Sequence, residues 1–112
     1  MKPSRGEIWL ANLDPPVGHE QGGTRPCLIV SDNGMNHGPL GLAMVVPLTS
    51  VEKGFPSHVK VVPPEGGLSL RSFIKCEDIR SISQKRLIKK LGTVTASTME
   101  QVEYRLCFLL HL

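Results

Sequence analysis

Four side chains able to move protons or hold anions stand close together: His19, Glu20, Gln21 and, past Gly22-Gly23-Thr24, Arg25. An imidazole beside a carboxylate can pass a proton, and an amide can donate or accept. A guanidinium presents a planar fork of donors that matches phosphate and keeps its charge. Further on, Thr49 and Ser50 follow the apolar run Ala43-Met44-Val45-Val46-Pro47-Leu48, and their hydroxyls could hydrogen-bond the same anion. If that run pairs with the apolar run after Arg25, the guanidinium and the Thr49 hydroxyl meet near one edge of a sheet. A plainer arrangement uses the same residues: Arg25 in a surface ion pair with Glu20, His19 solvated in its loop, and Thr49-Ser50 serving only as a turn.

Weaker signals lie elsewhere. Glu77, Asp78 and Arg80 fall in an extended segment, where alternation places Asp78 and Arg80 on one face and Glu77 on the other. They make either a surface ion pair or an acid beside a site arginine, a pairing that acid–base chemistry uses. Lys85, Arg86, Lys89 and Lys90 form a basic cluster, either a solvated helix face or a patch that steers phosphates. His37, His58 and His111 lack metal-ligand spacing, and Cys27, Cys76 and Cys107 include no Cys-x-x-Cys pair. A metal site or disulfide framework is therefore not expected, and the cysteines read as small core residues. No nucleotide-binding glycine loop, Gly-x-Ser-x-Gly elbow or zinc motif is present.

Positioning these groups falls to short strands. Residues 5–13 read as a strand, ended by Asp14-Pro15-Pro16 because proline cannot donate to a ladder. Arg25 precedes a proline and is biased to extended backbone, so the second strand starts there and runs to Ser31, before the turn signal Asp32-Asn33-Gly34. The third spans 43–48, and Pro47 inside it predicts a sheet edge or a bulge. After the Lys53-Gly54-Phe55-Pro56 turn, residues 57–62 alternate as a half-exposed strand, and a longer extended segment runs over 72–82. Ser83 caps a predicted short helix through Lys90, with Leu87, Ile88 and Leu91 on one face and Gly92 closing it; 93–95 form a last short strand. Ser97-Thr98-Met99-Glu100 reads as a capping box, and Met99, Val102, Leu106 and Leu109 stripe a helix to the C-terminus. The expected fold class is mostly β: a small barrel or curled sheet packed by a C-terminal helix.

At 112 residues, with 40% hydrophobic and 21% charged side chains, the chain suits one soluble domain over 1–112. No apolar run approaches the roughly 18 residues of a membrane helix. The N-terminus has no apolar stretch of a signal peptide. A cytoplasmic protein without a membrane partner is expected. A net charge of +3 and a pI near 8.9 fit an anionic partner without requiring one. On residues alone, no single reaction is marked out.

At these same residues the sequence resembles the MazF/PemK family of toxin endoribonucleases, the mRNA interferases of toxin–antitoxin systems. The likeness covers nearly the whole chain: Arg5-Gly-Glu-Ile-Trp-Leu, Asn12-Leu-Asp-Pro-Pro-Val-Gly-His-Glu-Gln, Arg25-Pro26 before an apolar strand, Val46-Pro47-Leu48-Thr49-Ser50, Lys53-Gly54-Phe55-Pro56 and Ile79-Arg80-Ser81-Ile82 follow in the family's order. The resemblance implies an SH3-like barrel or curled antiparallel sheet with a C-terminal helix, and a homodimer with RNA lying across the interface. It also implies cleavage of single-stranded RNA at a short sequence, without metal or cofactor. The ribose 2′-hydroxyl would attack the adjacent phosphate, leaving 2′,3′-cyclic phosphate and 5′-hydroxyl ends. The resemblance makes Arg25, Thr49 and Glu20 the expected catalytic residues. Arg25 and Thr49 would stabilise charge on the phosphorane, and Glu20 or His19 would accept the proton. His19, Gln21, Ser50, Lys53, Phe55, Asp78 and Arg80 are expected RNA contacts, with Phe55 stacking on a base. Asp78 stands where many relatives carry an amide. A cognate antitoxin, laying an acidic segment over the basic surface, is the expected protein partner.

A second reading keeps this scaffold and drops the chemistry: a non-nuclease toxin that poisons DNA gyrase, as CcdB-like relatives do. Such a protein needs no phosphate-facing Arg25 and Thr49 and would present its gyrase contacts on the last helix. That helix ends in Leu106-Cys107-Phe108-Leu109-Leu110-His111-Leu112, mostly apolar, which reads as core or dimer contact.

Overall fold

Proline and glycine punctuation cuts the chain into short strands. The computed structural model describes residues 2–112; Met1 lies outside them. Its strands are β1 (Glu7–Asn12), β2 (Thr24–Ile29), β3 (Leu42–Thr49), β4 (His58–Val61), β5 (Ser72–Lys75), β6 (Arg80–Ser83) and β7 (Leu87–Thr93). Helix α1 (Asn33–Asn36) lies between β2 and β3, and α2 (Ala96–Leu110) comes last. Pairing is antiparallel in the order β4-β5-β3-β2-β1-β7, with β6 also on β3. The sheet curls without closing, so β4 and β7 remain its two ends.

Strand alternation sends neighbouring side chains to opposite faces and gives the sheet two cores. On one face Ile8, Leu28, Val46, Leu48, Val59 and Ile74 pack with Val102 and the half-buried Met99 and Leu106 of α2. The other face gathers Trp9, Ala11, Leu13, Cys27, Ile29, Val45 and Ile82. Burying each large member contributes ~1.5–3 kcal/mol. A one-residue slip of β2 would expose both sets at once, so its register on β3 is firmly set.

Several local expectations need correction. Residues 83–90 are not a helix: Ser83 caps only the single 3₁₀ turn Gln84–Arg86, and the chain then continues as β7 on β1. An isolated helix of that length is marginal, whereas β1 offers an open ladder. Register shifts between Ile8/Trp9 and Leu10/Ala11 leave Ile88 and Leu91 as the extra residues of two bulges. The final strand therefore ends, rather than begins, at Thr93. The extended segment 72–82 is broken by a 3₁₀ turn over Cys76–Asp78, so the alternation expected for Glu77, Asp78 and Arg80 does not apply. Pro47 lies in a central strand, at the place where β3 changes partner from β6 (Val45 with Arg80) to β5 (Leu48 with Ile74), so its missing N–H leaves no ladder bond unmade on that side. The last helix is capped by Thr95, whose side chain accepts from Thr98 N, and not by Ser97. Asp32 caps α1 where a plain turn was expected, and Cys107 is exposed while Cys27 and Cys76 are buried. No described helix is long and apolar enough to cross a membrane.

Candidate active site

β2 and β3 carry the two residues expected at one sheet edge. Cys27 pairs with Pro47, Leu28 with Val46 and Ile29 with Val45; carried on to the strand ends, this register sets Arg25 across from Thr49. Both line a hollow of about 380 Å³, together with Ser50 and the apolar Leu10, Pro26, Leu48, Leu68 and Leu91. Arg25 Nε donates to the Gly22 carbonyl at 2.7 Å, and Nη1 reaches the Leu48 carbonyl at 3.4 Å. Backbone oxygens hold this guanidinium; Glu20 does not pair with it, and Nη2 has no partner among the described residues. Thr49 is buried, and its Oγ1 accepts from Val51 N at 3.2 Å, which leaves its own proton free to donate. Low-dielectric walls strengthen any contact between such donors and an anion. Gly67 also lines this hollow, at φ +70°, and a Cβ there would fall 1.9 Å from the Leu91 carbonyl oxygen, so only glycine fits.

His19, Glu20, Lys53, Phe55 and Asp78 line a different hollow of about 540 Å³, with Lys75 and Glu77. Glu20 is folded into its own loop: Oε1 accepts from Val17 N at 3.0 Å, and its N–H donates to the Val17 carbonyl at 3.2 Å. Gln21 ties the loop to the sheet. Its N–H donates to Asp78 Oδ2 and its Oε1 accepts from Lys75 Nζ, each at 2.9 Å. Ser57 Oγ at 2.8 Å and His58 Nε2 at 2.9 Å hold the two oxygens of Glu77. Partial burial works against ionising Glu77, but hydrogen bonds from His58, its own backbone and Ser57 outweigh it and keep the carboxyl below its usual range. Phe55 is 51% exposed and meets the His58 ring edge-on, 5.2 Å between centroids.

Arg80 opens β6 opposite Val45, and its Nη1 is buried without a partner among the described residues. It does not pair with Asp78, which faces Lys75 Nζ at 3.9 Å. Burial pushes the Cys27 thiol up to about 12; Arg25 and Arg80 pull the other way, and Asp78 adds to the rise. Charges from β2, β6 and the 3₁₀ turn thus act on one core residue. The basic cluster is not a helix face either: Lys90 meets Glu7 at 3.0 Å, and Arg86 Nη1 donates to the Asn12 and Asp14 carbonyls.

The structure therefore unites Arg25, Thr49 and Ser50 in one hollow and His19, Glu20, Lys53, Phe55 and Asp78 in the other, with Gln21 bonded to the second. Sequence reasoning missed Lys75, which is only 7% exposed. A lysine closing the apolar pair Phe73-Ile74 and followed by Cys76 was a legible signal, since a buried ammonium needs partners. The His58–Glu77 contact was also missed, because the break after β5 re-aims Glu77.

Residues 4–110 match the family described as PemK-like, MazF-like toxin of type II toxin–antitoxin system. The endoribonuclease MazF9 of Mycobacterium tuberculosis is 36% identical over 104 residues, covering 88% of each chain. The crystal structure of MazF from Deinococcus radiodurans superposes with a TM-score of 0.90 at 30% identity, covering 100% of this chain and 99% of that one. A mycobacterial endoribonuclease solved in complex with its cognate antitoxin superposes with a TM-score of 0.82 at 27% identity, covering 98% of this chain and 96% of that one. With the family matched over almost its full length, this chain belongs to the PemK-like, MazF-like toxins of type II toxin–antitoxin systems.

Proposed function

We propose that this protein is a sequence-specific, metal-independent endoribonuclease that cuts single-stranded RNA as an mRNA-cleaving toxin. The observation that carries this reading is the opposition of Arg25 and Thr49 across β2 and β3, at the rim of an apolar-walled hollow, with Nη2 and the Thr49 proton unspent. The relatives named as endoribonucleases support it. In the reaction the ribose 2′-oxygen forms a bond to the adjacent phosphorus while the bond from phosphorus to the 5′-oxygen breaks. Arg25 and Thr49 stabilise the charge gathering on the non-bridging oxygens, where preorganised donors act most strongly. The 2′-hydroxyl proton passes to Glu20 or His19, and the leaving 5′-oxygen takes up a proton from solvent water. The products are a 2′,3′-cyclic phosphate and a 5′-hydroxyl.

His19, Gln21, Ser50, Lys53, Phe55, Asp78 and Arg80 make the RNA contacts. Phe55 is half-exposed, so its ring can stack on a base. The protein acts in the cytoplasm as a homodimer and is silenced by a cognate antitoxin. Tyr104, Phe108 and Leu109, exposed on the last turns of α2, suit the dimer contact. The gyrase-poisoning alternative has no comparable observation behind it. The test is incubation of the purified protein with a long single-stranded RNA in EDTA, beside Arg25→Ala. Discrete fragments with 5′-hydroxyl ends from the unmutated protein alone are expected; intact RNA throughout would defeat the proposal.

A further inference from the structure

We propose that the row of side chains running from Thr49 across β5 to β4 carries the RNA backbone away from the cut, with Lys60 and Arg71 holding the phosphate of a neighbouring nucleotide. The proposal rests on the endoribonuclease reading above and adds a sequence-independent part to its binding surface. Strand register sets the row. Thr49 of β3 lies opposite Phe73 of β5, and Phe73 lies opposite Lys60 of β4. Residues directly opposite on antiparallel strands share a face, so hydroxyl, ring and ammonium follow one another across the sheet. Two strand spacings put the Lys60 backbone about 10 Å from that of Thr49. The charge at the end of the row therefore stands beyond the reacting phosphate rather than on it.

The groups at that end suit a phosphate. Lys60 is exposed, and its ammonium has no ion-pair partner among the described residues. The Arg71 guanidinium lies over the Phe73 ring, 5.6 Å from its centroid, and its Nη2 stands 3.7 Å from Glu52 Oε1. Both members of that pair are about half exposed, so water and salt screen it and Glu52 holds Arg71 only weakly. Two cations thus flank Phe73 against one carboxylate. A phosphate that displaces Glu52 meets an ammonium as a point charge and a guanidinium as a planar fork. Lys60 also lines an open hollow of about 220 Å³ with Glu52, Phe55 and Phe73. That is below the ~300 Å³ at which pockets enclose a small ligand, and it suits one sugar–phosphate unit of a chain passing through. Phe55 borders both this hollow and the one holding His19 and Glu20, so a single strand can run from one to the other. An acidic protein segment would answer the same charge, but continuity with Thr49 favours the substrate.

The experiment measures binding of a long single-stranded RNA over a range of salt concentrations, in an Arg25→Ala background that spares the RNA. Lys60→Gln and Glu52→Gln are each compared with that background alone. Lys60→Gln should lower the slope of log affinity against log salt by about 0.7, the share of one phosphate contact on a single strand. Its affinity at low salt should fall by about threefold, to the same degree on every sequence. Glu52→Gln should move the other way, binding about twofold tighter, because Arg71 is released to the phosphate. With Arg25 restored, Lys60→Gln should raise KM and leave kcat as it was, and the rise should shrink as the RNA is shortened toward the cut. An unchanged salt slope in Lys60→Gln, or a loss confined to some sequences, would overturn the proposal. Unchanged RNA binding with weaker binding of poly-glutamate would give this face to an acidic protein segment and overturn it too. Absence of cutting by the unmutated protein would defeat the nuclease reading, whereas the binding slopes decide this face separately.

Discussion

The two hollows are built on opposite principles. In the first, one guanidinium stands among leucines, held by the Gly22 carbonyl just before β2 and the Leu48 carbonyl of β3, a strand whose register on β2 two cores enforce. In the second, polar and charged groups from the Val17–Gly23 loop, β4, β5 and the turn after β5 hold one another: Lys75 Nζ with the Gln21 amide, Asp78 with the Gln21 backbone N–H, and Glu77 with Ser57 and His58. Backbone-held groups keep their place when a neighbour changes, which suits chemistry that every substrate shares. Groups held side chain to side chain re-sort when one member changes, which suits discrimination. The first hollow should therefore fail on all RNAs alike, and Lys53, Phe55 and Asp78 of the second sequence by sequence, while His19 and Glu20, its candidate proton acceptors, should act on every RNA.

The largest effect tests the first half of that contrast. Arg25→Ala should slow cleavage by about a hundredfold to a thousandfold on every RNA, the usual cost of losing one donor to a developing oxyanion. Arg25→Lys should recover little, because an ammonium cannot hold two carbonyls and still present a planar donor. Single-turnover rates on two unrelated sites would check this; a loss confined to one site would break the contrast. Thr49→Val comes next, at about tenfold to a hundredfold, equivalent to one buried hydrogen bond to charge. Thr49→Ser should stay near the starting rate because it keeps the hydroxyl that Val51 N meets. In the second hollow, Glu20→Gln and His19→Ala test the proton acceptor. Cleavage by both at the unmutated rate would remove these residues from the chemistry.

Legibility in the sequence divides along the same line. Two apolar runs and the X-Pro bias located β2 and β3, and Arg25 and Thr49 came together on the one added condition that those strands pair, which they do. The last helix was equally plain from Met99, Val102 and Leu106, although its cap lies at Thr95. What failed was any inference that depended on a partner strand. Ser83 to Lys90 carries helical spacing and a capping serine, but the free edge of β1 captured it as β7. The turn at Cys76–Asp78 arises because β5 and β6 share β3 as a partner, and nothing local in Lys75-Cys76-Glu77-Asp78 announces a shared strand. That break buries Lys75, swings Glu77 onto His58 and points Asp78 at Gln21, so the contacts that tie the second hollow together were hidden although His19, Glu20, Lys53, Phe55 and Asp78 were named from the sequence.

The smallest effect compares a carboxylate beside each hollow. Glu65 opens the 3₁₀ turn that ends at Gly67, and its Oε2 accepts from Thr95 N and from the Thr95 and Thr98 hydroxyls at the start of α2. Glu77 braces the second hollow through Ser57 and His58. Burial opposes the ionised form of both, but those hydrogen bonds outweigh it, and each carboxyl lies below the ordinary 4.5 when folded. A depressed folded value means stability that is fully present above the unfolded value and lost as pH falls through the folded one. The melting temperature should therefore be flat above about pH 5 and decline below 4.5. Glu65→Gln and Glu77→Gln should each melt lower than the unmutated protein at pH 7, with the gap closing as pH falls through the depressed folded value of the native carboxyl. A gap that stays constant however far the pH is lowered would show that the ionised carboxylates do not brace the fold. Glu65→Gln should also leave cleavage preferences unchanged, because its bonds stop at α2. Glu77→Gln frees His58 beside Phe55 and should blur them slightly. A blurred preference from Glu65→Gln instead would mean that the two hollows are mechanically one.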